Sequence, residues 1–129
     1  STAALAARRR VRPDFNAVFL GGDIHENWVG HVKTDYQQPS SEAVATEFCG
    51  TSISSRSGVS NARVPDRLAE NPHFVFADSE KRGYGIVDVQ ARRITTRLRV
   101  IDDATRVDTS VSTLAQFAVQ SGRALIERS

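Results

Sequence analysis

The spacing of apolar and polar positions changes several times along the chain. Residues 2–12 are rich in alanine and end in arginine, a helical stretch that Pro13 closes because proline cannot continue a helix. "FNAVFLGG" (15–22) is a short apolar run ending in two glycines, the pattern of a buried strand in an α/β sheet. In "NWVGHVKTDY" (27–36) an alternation puts Trp28, Gly30, Val32 and Thr34 on one face. Asn27, Val29, His31 and Lys33 take the other face of this second strand. "AVATEFCGTSISS" (43–55) is rich in β-branched and small residues and predicts a third strand. A polar loop follows, then "VPDRLAEN" (64–71) as a short helix before Pro72. "HFVFAD", "GYGIVDV", "RITTRLRVI" and "TLAQFAVQ" then read as strands of a meander, with Arg97 and Arg99 alternating against Leu98 and Val100 to give one wet face. The expected fold class is α/β, mostly strands, with a large sheet.

Composition narrows the function classes only slightly. At 129 residues, 40% hydrophobic and 25% charged, the chain fits one ordinary globular domain or a piece of a larger one. Nearly all of its 17 basic residues are arginine, yet net charge is +2, so strong non-specific binding to nucleic acid is not expected. The cluster Arg8-Arg9-Arg10 reads as a solvated helix end. One cysteine, Cys49, forbids an internal disulfide, and no apolar run is long enough to span a bilayer as a helix. With no methionine and an opening that enters a helix partway, the chain is expected to be a processed or truncated product.

Candidate chemistry concentrates in "FLGGDIHENW" (19–28). In an extended backbone Asp23 and His25 would point to the same side, where a carboxylate and an imidazole could meet at one spot. Gly21 and Gly22 allow a sharp turn or a close ligand, and strand ends are where α/β folds place their sites. A carboxylate is a hard oxygen ligand and an imidazole suits iron or zinc, so the pair could serve a mixed two-metal centre. Spacing alone nevertheless favours an exposed or structural Asp/His pair, because two ligands do not hold a metal.

Three blocks, "LGGDIHENWVGHV", "EFCGTSISS" and "NPHFVFADSEKRGYGIVDV", resemble consecutive blocks of PhoD-type alkaline phosphatases in the metallophosphoesterase superfamily. Their order and spacing agree from about residue 14 to the C-terminus. In that superfamily a Gly-[His/Asp]-x-His motif near the end of the catalytic domain supplies two metal ligands, and Gly22, Asp23 and His25 match it position for position. The resemblance implies that residues 1–129 are the C-terminal portion of a PhoD-like catalytic domain, part of a four-layer αββα sandwich with metals at the sheet ends. It also implies iron with calcium as cofactors, hydrolysis of phosphomonoesters and phosphodiesters, and a periplasmic or extracellular location. The two ligands would be catalytic through the metals they hold.

The departures from the family pattern matter as much. The family's other ligands, a cysteine, aspartates with an Asp-Asp-His block and an asparagine, have no counterpart before residue 14. Cys49 lies in the "EFCGTS" block and does not match the family's metal-binding cysteine. The expected partner is therefore the missing N-terminal part of the same domain, and the chain alone is expected to be inactive. Alternatives are a phospholipase D-like phosphodiesterase and a non-catalytic β-rich binding module. His31 reads as a half-buried hydrogen-bonded residue, Trp28 as core, Asn27 as a turn cap, and His73 as a strand-start residue. Glu47 requires a partner, for which Arg56 is a candidate, and Arg82-Gly83-Tyr84 reads as structural. "GTSISS" lacks the surroundings of a serine nucleophile.

Overall fold

Two four-stranded sheets face each other in the computed structural model, which describes residues 16–129. The helix expected over 2–12 lies outside the described residues. The strands are β1 (Ala17–Gly21), β2 (Asn27–Lys33), β3 (Ala43–Cys49), β4 (Phe74–Asp78), β5 (Arg82–Val89), β6 (Arg93–Ile101), β7 (Val111–Gln120) and β8 (Ile126–Arg128). The first sheet has the order β1-β3-β2-β4 and the second the order β5-β6-β7-β8. β1 runs parallel to β3, with Gly21 opposite Cys49, whereas β2 is antiparallel to both of its neighbours. A parallel pair within a mixed sheet is the α/β signature expected from the apolar run at 15–22.

The alternation in β2 decides the packing. Val29 joins Phe48, Leu98, Ala115, Phe117 and Val119 in the core between the sheets, with Val18, Phe76 and Ile126 against its margin. Phe117 is the hub, with Phe76 at 5.6 Å and Phe48 at 6.3 Å between ring centroids. In β6, Thr96, Leu98 and Val100 are buried while Arg97 is exposed, so the predicted wet face exists. On the opposite face of the first sheet, Gly30 leaves room for Phe74. A Cβ there would lie 2.5 Å from its ring, and Phe74 instead packs edge-on against Trp28 at 4.8 Å. A short helix, α1 (Val64–Glu70), begins with Pro65 in its first turn, where the missing amide costs nothing.

Three expectations need correction. The two sheets agree with the sandwich that the resemblance implies, but "HFVFAD" does not open the meander: β4 pairs with β2 in the first sheet. The chain changes sheets through a capped turn, in which the Asp78 carboxylate accepts the Glu80 and Lys81 amides (3.2 and 2.7 Å). The Ser79 amide donates to Asn61 Oδ1 (2.8 Å), so 78–81 is a corner and not a hairpin. β1 is an edge strand among the described residues, half-buried at Val18 and open at Leu20, which is 65% exposed. The third strand ends at Cys49 rather than near residue 55, because the residues beyond it turn away to bond with the β4–β5 corner.

His31 ties the two sheets together, since its Nε2 accepts the Ile126 amide at 3.3 Å and so anchors β8. Burial lowers its pKa, with Lys33 and His73 adding to the effect. A histidine depressed in the folded state resists the proton that the unfolded chain accepts below about pH 6.5. Its stabilising contribution is therefore full above that value and is lost as pH falls toward the depressed folded pKa. His73, lowered mainly by burial, contributes in the same direction. Urea unfolding should show a lower midpoint at about pH 5 than at about pH 8, and His31→Gln should flatten part of that slope. An unchanged slope in the variant would remove His31 from this role.

Candidate metal centre

β1 stops at Gly21 because the chain must leave the sheet there without losing its hydrogen bonds. The Gly21 carbonyl accepts the Gly50 amide (3.0 Å), and the Cys49 thiol reaches the Gly22 carbonyl (3.7 Å). The next four residues form a bend that leads into β2. Asp23 and His25 thus sit two and four positions beyond the C-terminal end of β1, as expected, but their backbone is not extended. Asp23 has φ 78° and His25 has φ 60°, and no other described non-glycine residue has positive φ. Left-handed backbone costs an L-residue roughly 1–2 kcal/mol, although Asp and His are among the side chains that adopt it most readily. The extended i, i+2 reading is overturned. Two strained residues in alternation take its place, and strain of this kind persists only where surrounding contacts enforce it.

Those contacts grip the bend at consecutive residues. The His25 carbonyl accepts two bonds, from Thr51 Oγ1 (3.1 Å) and from Arg82 Nη1 (2.8 Å). Glu26, 3% exposed, accepts Trp28 Nε1 (2.7 Å) and Arg67 Nη1 (3.0 Å). Arg67 also lies over the Trp28 ring at 4.6 Å, so α1 is stapled to the bend by charge and stacking together. Asn27, 1% exposed, accepts the Thr51 amide through Oδ1 (3.1 Å). Its role is to hold the loop after β3, which is a cap, though on a segment distant in sequence.

Asp23 is exposed and His25 half-buried. Among the described residues neither side chain makes a hydrogen bond or ion pair, so a carboxylate and an imidazole stand free to bind on a backbone fixed from below. The donor set fits a hard or borderline cation but is incomplete, since no group of three or more His, Cys, Asp or Glu is assembled among the described residues. A cleft of about 350 Å3 opens beside the bend, walled by Gly22, Ile24, Trp28, Cys49, Arg67 and Phe74. Asp23 and His25 are not in its wall, so the cleft and the free donors are separate features. Burial, with Glu47 and Glu26 nearby, raises the pKa of Cys49, which keeps it a thiol.

Other candidates fall into place around this bend. Glu47 lines the cleft and does not pair with Arg56: a half-buried carboxylate beside an open cleft stays solvated and needs no cation. Trp28 is core, and His73 stacks on Tyr36 and Phe74 (4.7 and 4.4 Å) away from Asp23 and His25. Arg82 belongs to the machinery that holds the bend. Burial lowers its guanidinium pKa against the pull of Asp78, with Arg56 adding to the lowering. Neither it nor Thr51 could be assigned from sequence, because their bonds to residue 25 span 57 and 26 positions.

The chain is 34% identical over 107 residues to alkaline phosphatase D of Bacillus subtilis (strain 168), which covers 81% of this chain and 18% of that protein. A solved structure of PhoD superposes with a TM-score of 0.84 at 29% identity, over 98% of this chain and 24% of that one. The chain therefore spans less than a quarter of the length of either relative. With residues 3–98 matching the family profile of PhoD-like phosphatases, the chain belongs to the PhoD-like phosphatase family.

Proposed function

We propose that the chain is the C-terminal portion of a metal-dependent phosphoric ester hydrolase in which Asp23 and His25 are two of the metal ligands. The observation that supports this reading is the bend itself. Two free donors occupy the two described non-glycine positions with left-handed backbone, at a strand end held by buried hydrogen bonds. A carboxylate oxygen suits a calcium-like cation and an imidazole suits iron, so the pair would serve an iron and calcium centre completed by ligands from the rest of the domain. Metals held there would polarise a phosphoryl oxygen and supply an acidified water. The chain's own part is positional: Arg82, Thr51 and the Glu26–Arg67 pair fix the bend that carries the donors. Phosphomonoesters and phosphodiesters are the substrate class, and a periplasmic or extracellular location accompanies the reading. No helix among the described residues is long and apolar enough to cross a membrane.

The test is an assay of the full-length protein that carries this segment, with p-nitrophenyl phosphate and bis-p-nitrophenyl phosphate and with metal content measured in parallel. Turnover that disappears on chelation and returns with added iron and calcium is expected. Full turnover in a preparation shown by elemental analysis to be metal-free would overturn the reading.

A further inference from the structure

We infer that Arg82 is a positioning residue for the ligand-bearing bend, acting on His25 through the backbone; this rests on the reading of Asp23 and His25 as metal ligands. Arg82 is the first residue of β5, in the opposite sheet, and is 5% exposed. A buried guanidinium ordinarily demands a carboxylate partner. Among the described residues Arg82 has no ion pair. Its Nη1 shares two hydrogens among the His25 carbonyl (2.8 Å), Ser52 Oγ (2.8 Å) and the Ser55 carbonyl, and its Nη2 donates to the Ser79 carbonyl (3.1 Å). The cation therefore gathers oxygens from three loops onto one planar group, which matches the fixed fork of arginine and not the point charge of lysine.

Fixing the carbonyl of His25 fixes the peptide plane that follows it. With φ of His25 at 60° and its carbonyl held, the direction of the Cα–Cβ bond that carries the imidazole is set. The platform is itself tightly packed. Gly83 donates its amide to the Ser52 carbonyl (3.0 Å), and a Cβ at Gly83 would lie 1.9 Å from the Arg99 carbonyl oxygen, so β5 can lie tight against β6 only with glycine there. Thr51 Oγ1 is the second donor to the same carbonyl, at 3.1 Å. The sequence block Arg82-Gly83-Tyr84 thus has a functional as well as a structural reason: arginine to hold the bend, glycine to bring the arginine close.

The experiment uses the full-length protein that carries this segment, 15N-labelled, stripped of metal and titrated with Mn2+, following paramagnetic broadening of the Asp23 and His25 amides and the intraresidue amide–Hα Overhauser effect that marks positive φ. Wild type should broaden selectively at these two residues. Arg82→Gln should require about 10- to 100-fold more Mn2+, the usual scale for a lost group that orients a ligand. It should also lose the positive-φ signature at His25 while the β2–β3 amides stay in place. Arg82→Lys should restore the response only in part. If Arg82→Gln does not fold, Thr51→Val tests the same carbonyl and should shift the response in the same direction by a smaller factor. A folded Arg82→Gln, or in its absence Thr51→Val, with wild-type Mn2+ response and His25 signature overturns the positioning role alone. A full-length wild-type protein that shows no selective response at Asp23 and His25 overturns the metal reading, and the positioning role with it.

Discussion

Asp23→Asn in the full-length enzyme is expected to lower turnover by about two to three orders of magnitude, equivalent to roughly 3–4 kcal/mol of lost transition-state stabilisation. The substitution removes the charge that a hard cation requires and leaves one oxygen of similar reach. It should not disturb the fold, because asparagine tolerates left-handed backbone as well as aspartate does, and φ at this position is 78°. Bound metal measured by elemental analysis should fall together with the rate. Asp23→Gly sharpens the test, since glycine relieves the left-handed strain. It should raise the stability of the chain by up to about 1 kcal/mol while abolishing turnover. Opposite signs for stability and activity would identify a residue kept for chemistry at the expense of folding. Unchanged turnover and metal content in Asp23→Asn would remove the carboxylate from the site.

That conflict between local preference and function also explains what the sequence could and could not reveal. The alternation in β2 and β6 was legible because a side chain facing the core must be apolar, and Val29, Leu98 and Val100 obey that rule. The short helix was legible as "VPDRLAEN" ahead of Pro72, and it runs from Val64 to Glu70. The partition into two sheets was implied by the family resemblance and not by spacing, because hairpin-length spacing between "HFVFAD" and "GYGIVDV" describes a capped corner equally well; the difference lies in Asp78 and Asn61, which turn the chain. At the candidate site, Asp23 and His25 were found through motif resemblance, whereas their conformation was misread. Period-two reasoning assumes relaxed extended backbone, and this bend departs from it under compulsion from Thr51 and Arg82. Glu26 shows the same limit. His25 before it is half-buried and Ile24 is exposed, yet Glu26 is buried and pairs with Arg67, 41 positions away.

The isolated 129-residue chain is expected to have no measurable turnover of phosphate esters. Fixing two metals and leaving a position for water requires more donors than a carboxylate and an imidazole, and no third His, Cys, Asp or Glu joins a cluster with them among the described residues. Any cation bound here is held from one side only, so it neither polarises a phosphoryl oxygen in a fixed direction nor acidifies water efficiently. The surfaces around the half-site point the same way. Leu20 is 65% exposed and Ile24 49% exposed at the end of β1, itself an edge strand with one row of backbone groups unpaired in the described structure. Apolar side chains beside an open edge are a surface that ordinarily has cover, which the remainder of the domain would provide. The purified chain should therefore self-associate at high concentration and bind the N-terminal portion on mixing. The decisive assay supplies iron and calcium to the chain with p-nitrophenyl phosphate and bis-p-nitrophenyl phosphate, after mass spectrometry has shown that no second polypeptide is present. Robust turnover by the chain alone would mean that two ligands suffice or that residues 1–15 contribute others, and the half-site would have to be abandoned.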